Sequence, residues 1–252
     1  MLRKGDLTQG GITGTLLHFT LPMMVGSFLQ QCYNIADTLI VGQCIGAGAL
    51  AAVGSAYTLM VFLISVLLGL AMGSGTVFSL HYGAGNHVAL RRSIFSSFAL
   101  IGIVTLILNV VVFIWLDPIL RLLQVPQDIY GMMRSYLWII FCGIVFTFIY
   151  NFYASLLRAV GDSVTPIWFL AVSVVLNIAL DLFFILQLDW GIQGAAAATV
   201  LAQGVAALGI IIYTYRRRPE LRWHHEDMCF DRTCLKEIAS FSTLDRKSTR
   251  LN

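Results

Sequence analysis

The chain has 252 residues, of which 58% are hydrophobic and only 12% charged, and its mean hydropathy is +0.81. Soluble domains carry roughly 25% charged residues, so a soluble globular protein is excluded and an all-α polytopic membrane protein is expected. The net charge of +3 is small, and no basic patch suggests a nucleic-acid partner.

Six apolar segments each come near the ~20 residues a helix needs to cross the hydrocarbon. The first, 16–41, contains Pro22, Tyr33 and Asp37; the second, 50–78, contains Gly69, Gly73 and Gly75. The glycines read as packing positions, because small residues let helices approach closely in lipid. The third segment, 94–116, holds Asn109, and the fourth, 132–156, holds Asn151. The fifth, 167–186, carries Asn177 and Asp181, and the sixth, 192–215, carries Thr199 and Gln203. The breakers at 42–48, 81–92, 117–127, 158–166 and 188–191 are short connections that suit antiparallel neighbours in one bundle.

Basic residues orient the bundle. Arg3, Lys4, Arg91, Arg92, Arg158, Arg216, Arg217, Arg218 and Arg222 fall on one side if the spans alternate, against Arg121 and Arg134 on the other. The positive-inside rule then puts both termini in the cytoplasm, with Arg216, Arg217 and Arg218 anchoring the sixth helix at anionic headgroups. The first apolar run is too long for a signal-peptide core and five more follow. Cys32, Cys44, Cys142, Cys229 and Cys234 read as packing thiols rather than a disulfide framework.

An acid inside a membrane span is costly and usually marks function. At 1.5 Å per residue, Asp37 lies about 30 Å along the first helix, Asp181 about 22 Å along the fifth, and Thr199 about 12 Å back from the outer surface. The three are therefore expected to share the outer half of the bilayer. Asn177 precedes Asp181 by four residues and Tyr33 precedes Asp37 by four, so each pair shares a helix face. Two chemistries suit such a cluster. Neighbouring buried carboxylates favour binding a proton, and together they titrate as a coupled pair; alternatively, carboxylate, amide and hydroxyl oxygens coordinate a hard cation such as sodium. Asn109, Asn151 and Gln203 are candidates for lining a cavity or bridging helices, with packing or bridging the first reading for each. A third possibility is structural, with Asp37 at the outer interface and Asp181 packed against Asn177.

The run Leu21-Pro22-Met23-Met24, followed by Tyr33-Asn34-Ile35-Ala36-Asp37-Thr38, resembles the first helix of the MATE (multidrug and toxic compound extrusion) transporters. Gly48-Ala49-Leu50-Ala51-Ala52-Val53-Gly54 resembles the entry to the family's second helix, and Leu157-Arg158-Ala159-Val160-Gly161-Asp162-Ser163-Val164-Thr165-Pro166 its fourth connection. Asn177-Ile178-Ala179-Leu180-Asp181 and Gly191-Ile192-Gln193-Gly194-Ala195-Ala196 resemble its fifth and sixth helices. The resemblance implies a plasma-membrane antiporter, not an enzyme. It would export organic, often cationic, drugs, driven by protons or sodium, with no other cofactor. The resemblance is to the prokaryotic DinF-like and NorM-like members; in the DinF-like branch the motif positions of the cation site fall on Asp37, Asn177, Asp181 and Thr199, and the first-helix proline on Pro22, where a missing amide hydrogen bond permits a bend.

Members of that family have about twelve helices in two six-helix lobes, a common use of internal repeats. Residues 1–215 are read as one N-terminal lobe, with 216–242 as an inter-lobe segment in which Leu235-Lys236-Glu237-Ile238-Ala239-Ser240-Phe241 resembles the start of a second repeat. Residues 243–252 are polar where a seventh span is expected and read as a truncated or wrongly joined frame. A second six-helix lobe is the expected partner. Two other functions are alternatives: a lipid-linked glycan flippase of related architecture, disfavoured by acidic rather than basic intramembrane charge, and an intramembrane enzyme, for which His18 and His81 lack an evident partner. His224-His225-Glu226-Asp227 reads as a solvated cluster rather than a metal site.

Overall fold

The computed structural model describes residues 12–222, with side chains from Thr20 onward. The expectations for Arg3, Lys4, the His18 side chain, the His224–Asp227 cluster, Cys229, Cys234, the 235–241 repeat and the tail at 243–252 lie outside the described residues. Seven α-helices follow in order: α1 (Ile12–Cys44), α2 (Ala47–Gly83), α3 (His87–Leu122), α4 (Gln127–Cys142), α5 (Ile144–Ala159), α6 (Val164–Leu182), which continues into a π turn (Phe183–Gln187), and α7 (Gly191–Arg217).

α4 and α5 pass the length and hydropathy test for a span only together, as a pair bent by 48°. The fourth expected span is therefore broken, at Gly143. By length and composition, α2, α3, α6 with its π turn, and α7 can each cross a membrane, and the bent pair makes a fifth. At 33 residues α1 is long enough as well, with Gln30, Gln31, Asn34, Asp37 and Thr38 interrupting its apolar run.

The helices also outrun the expected boundaries, and the connections shrink to a few residues. Two of them share a chain-reversal geometry. At the end of α2, Asn86 N–H bonds His81 O at 3.0 Å and Gly85 N–H bonds Tyr82 O at 3.0 Å; at the end of α5, Asp162 N–H bonds Leu157 O at 2.9 Å and Gly161 N–H bonds Arg158 O at 3.0 Å. Gly85 (φ 68°) and Gly161 (φ 84°) take the left-handed conformation that this helix ending requires and a Cβ disfavours. The next helix is then capped by a side chain: Asn86 Oδ1 accepts from Ala89 N–H at 3.0 Å, and Asp162 Oδ1 accepts from Thr165 N–H at 3.1 Å.

The interior has two textures. Between α2, α3 and α5 it is aromatic, with Phe98 and Phe152 ring centroids 5.2 Å apart and Phe78 edge-on to Phe152 at 5.9 Å. Around α7, which packs against α4, α5 and α6, it is made of small residues. Ala195, Ala196, Ala198 and Ala202 are fully buried, and such side chains let backbones approach where lipid supplies no hydrophobic drive. Gly75 packs in the same manner, since a Cβ there would lie 2.5 Å from Ser155 Oγ; Gly69 instead meets nothing within 4 Å.

Two expectations for the surface are corrected. Cys32, Cys44 and Cys142 are free and exposed rather than packed in the interior. Arg218 is not displayed to headgroups: it is buried, with Nη2 3.3 Å from Asp162 Oδ2 and Nη1 3.5 Å from Glu220 Oε1. A guanidinium at a helix end needs a carboxylate once it loses water. This pair also joins the α5–α6 turn to the end of α7, placing both on one side of the bundle as alternation requires.

Candidate cation site and cavity

Three helices deliver the polar cluster. α1 supplies Tyr33 and Asp37 from one face, α6 supplies Asn177 and Asp181 from consecutive turns, and α7 supplies Thr199. All five are buried, Asn177 and Asp181 completely. Tyr33 Oη donates to Thr199 Oγ1 at 3.3 Å and Asn177 Nδ2 donates to the same oxygen at 3.4 Å. The carboxyl groups of Asp37 and Asp181 adjoin one another. The structure thus brings together all four residues expected for a cation site, with Tyr33 beside them.

What distinguishes the cluster is its lack of donors. Among the described residues, five buried side-chain polar atoms have no hydrogen-bond partner, and four of them are Asp37 Oδ1, Asn177 Oδ1 and both carboxylate oxygens of Asp181. Buried polar atoms are nearly always satisfied, and an exception calls for an explanation. Here every unsatisfied atom in the cluster is an oxygen, so the group wants positive charge. Two carboxylates, an amide oxygen and a hydroxyl suit a hard cation, and the acids can equally hold a proton. The bonds to Thr199 are long for an O–H or N–H donor and so cost little to give up. Immediately after Asp181 the helix widens into the π turn at Phe183–Gln187, a distortion common beside functional groups.

A cavity of about 750 Å³ opens next to the cluster, between α1, α2, α4, α5, α6 and α7. Tyr33, Asp37, Thr199, Asn151 and Gln203 all line it; Pro22 does not, and neither do Asn177 or Asp181. Pro22 lies 15 residues before Asp37, about 22 Å down the helix, and α1 runs through it unbroken. Asn151 Nδ2 is held by Thr147 O at 2.8 Å, and Gln203 Oε1 accepts from the Thr147 hydroxyl. Asn109 bridges helices instead, donating to Phe141 O at 2.6 Å.

Sequence reasoning missed much of the lining. Gln30, Tyr33, Asn34, Asp37 and Thr38 all face the cavity, and their i, i+3, i+4, i+7, i+8 spacing marks one stripe of α1. That spacing was readable. Tyr136 of α4, buried and within electrostatic reach of both acids, carried no such signal, because a lone tyrosine in an apolar span has no periodicity.

Fold and site together define a multi-pass helical membrane protein with a buried polar cluster beside a cavity. A family model described as MatE matches residues 22–183. The "Probable multidrug resistance protein YpnP" of Bacillus subtilis is 35% identical over 217 residues, covering 86% of this chain and 49% of the relative. The "Multidrug export protein MepA" of Staphylococcus saprophyticus is 31% identical over 210 residues, covering 80% and 45%. Among solved structures, the outward-facing conformation of a multidrug resistance MATE family transporter of the MOP superfamily superposes with a TM-score of 0.87 at 25% identity, over 94% of this chain and 53% of that one. The chain belongs to the MatE family, and it spans about half the length of the curated relatives it matches.

Proposed function

We propose that this chain forms the N-terminal lobe of a cation-coupled antiporter that exports organic, often cationic, compounds across the plasma membrane. The observation that carries the proposal is the group of four donorless oxygens on Asp37, Asn177 and Asp181, buried beside a 750 Å³ cavity. Among the described residues, Asp37 is the only charged residue in the cavity lining, with no Lys or Arg beside it; this favours a cationic guest over an anionic lipid-linked one. Descriptions of the relatives as multidrug resistance and export proteins point the same way.

The division of labour follows from position. Asp181 is enclosed and serves the coupling ion, H⁺ or Na⁺. Asp37 belongs to both the cluster and the cavity wall, so ion and guest draw on one carboxylate. Loading the ion neutralises Asp37 and weakens the hold on a cationic guest, which links ion entry to drug release. A second six-helix lobe supplies the opposing wall for alternating access, and both termini lie in the cytoplasm, with Arg91, Arg92, Arg158, Arg216 and Arg217 on that side.

The test is efflux of a fluorescent organic cation from vesicles carrying the transporter. Asp181→Asn is expected to abolish ion-driven efflux while leaving membrane insertion intact. Unchanged transport under both proton and sodium gradients would remove the coupling role, and the gradient that drives the wild type identifies the ion.

A further inference from the structure

The break in the fourth span is built rather than incidental, and its geometry reaches Thr199. At Gly143 the helix turns by 48°. Asn109, from α3, donates to Phe141 O at 2.6 Å in the last turn of α4, supplying a donor where the helical ladder is interrupted. On the opposite side, α7 enters the notch. A Cβ at Gly143 would stand 2.7 Å from Val200 Cγ1 and closer still to Cγ2, so only glycine leaves room for Val200.

Val200 directly follows Thr199, whose hydroxyl receives Tyr33 from α1 and Asn177 from α6. One turn further along both helices, the Thr147 hydroxyl donates to Gln203 Oε1. The span and α7 are thus registered at two successive levels, Gly143 with Val200 and Thr147 with Gln203. A small space of about 30 Å³, lined by Gly143, Thr147, Thr199, Val200 and Gln203 among others, joins the break to the cation cluster.

We propose that Gly143 and Asn109 are positioning residues for the cation site: the broken span seats α7 at the depth and rotation that bring Thr199 between Tyr33 and Asn177. The inference rests on the cation-site reading above. A methyl group at 143 would push α7 away from α1 and α6, and loss of the Asn109 amide would let the break reset.

The test uses the full chain in lipid nanodiscs, followed by infrared absorption of its carboxyl groups during a sodium titration at fixed pH and a pH titration without sodium. The wild type is expected to give an ion-dependent band that Asp181→Asn removes. Gly143→Ala should shift the midpoint by roughly 10-fold in ion concentration, the scale of an overpacked contact, with helical circular dichroism retained. Gly143→Ala with Val200→Ala should recover most of that shift, and Asn109→Leu should shift it in the same direction as Gly143→Ala. Should Gly143→Ala fail to fold, Val200→Ala alone serves, since emptying the notch should also weaken binding. Wild-type titrations in Gly143→Ala and Asn109→Leu, or in Val200→Ala where it replaces Gly143→Ala, overturn the positioning role and leave the cation site standing. Absence of an Asp181-dependent band in the wild type overturns both.

Discussion

Tyr33 and Thr199, 166 residues apart in the chain, are joined by a buried hydrogen bond of 3.3 Å from the phenol to the threonine hydroxyl. The bond ties the first helix of the bundle to its most enclosed one. Because Asn177 donates to the same hydroxyl at 3.4 Å, three helices meet on one oxygen, while Asp37 Oδ1 and both Asp181 carboxylate oxygens are buried without a donor.

Tyr33→Phe keeps the ring and removes only that donor. A net hydrogen bond contributes about 0.5–1.5 kcal/mol, so ion affinity should fall by roughly 2- to 10-fold, with maximal efflux rate changing less. The measurement is the ion concentration for half-maximal efflux. An unchanged value would show that Thr199 holds its place without Tyr33.

The two acids should differ when neutralised one at a time. Asp37 lines the cavity and Asp181 does not, so Asp37→Asn should weaken binding of both ion and guest, and Asp181→Asn that of the ion alone. Removing one member of a buried charge arrangement costs about 2–5 kcal/mol, or on the order of 30-fold and more in affinity. Equilibrium binding of a fluorescent cation to each variant, with and without the driving ion, separates the roles. Equal loss of guest binding in both variants would contradict the assignment.

The contrast between these acids also shows what a sequence discloses. Two carboxylates inside apolar runs, with polar residues four positions away, reveal a cluster because helical geometry fixes which residues share a face. The family motifs then pair the helices. The break at Gly143 stayed hidden: a glycine within a span normally marks packing, and nothing local says that Asn109 from another helix caps Phe141 O. The environment of Arg218 is hidden for a similar reason. A run of three arginines looks like an interfacial anchor, and only the fold shows that the third meets Asp162, 56 residues upstream. The cysteines failed in the opposite sense, since in a lone lobe apolar side chains at Cys32 and Cys142 can face outward without penalty from lipid. Helix ends extend past the apolar segments because hydropathy stops at the hydrocarbon edge, whereas backbone hydrogen bonding continues for another turn or more.

The Arg218–Asp162 pair should matter for stability. The side chains are only 9% and 13% exposed, and the Asp162 carboxylate also accepts from Thr165 N–H and Oγ1 at the start of α6. Arg218→Gln leaves a nearly buried carboxylate without its charge partner, a change that costs about 3–5 kcal/mol in buried pairs. Asp162→Asn with Arg218→Gln removes both charges, retains an acceptor for the cap, and should recover part of the loss. Thermal unfolding in detergent micelles measures both variants; a single and a double variant of equal stability would show that charge is not the issue.

Gly209 tests how closely α6 and α7 must approach. A Cβ at this position would sit 2.6 Å from Phe169 Cε1 and 2.9 Å from Cδ1. The ring has little room to withdraw, because Phe169 also packs edge-on to Tyr213 with centroids 6.1 Å apart. Gly209→Ala gains helix propensity of about 1 kcal/mol, but overpacking costs about 1–3 kcal/mol, so the net effect should be a loss. Phe169→Leu shortens the opposing side chain, and in that background Gly209→Ala should turn neutral or stabilising. Unfolding temperatures of the four members of this cycle give the answer. A stabilising Gly209→Ala in the wild-type background would mean that α6 and α7 can separate by a few tenths of an ångström at no cost. Close packing along α7 would then not be what fixes Asn177 and Asp181 relative to Thr199.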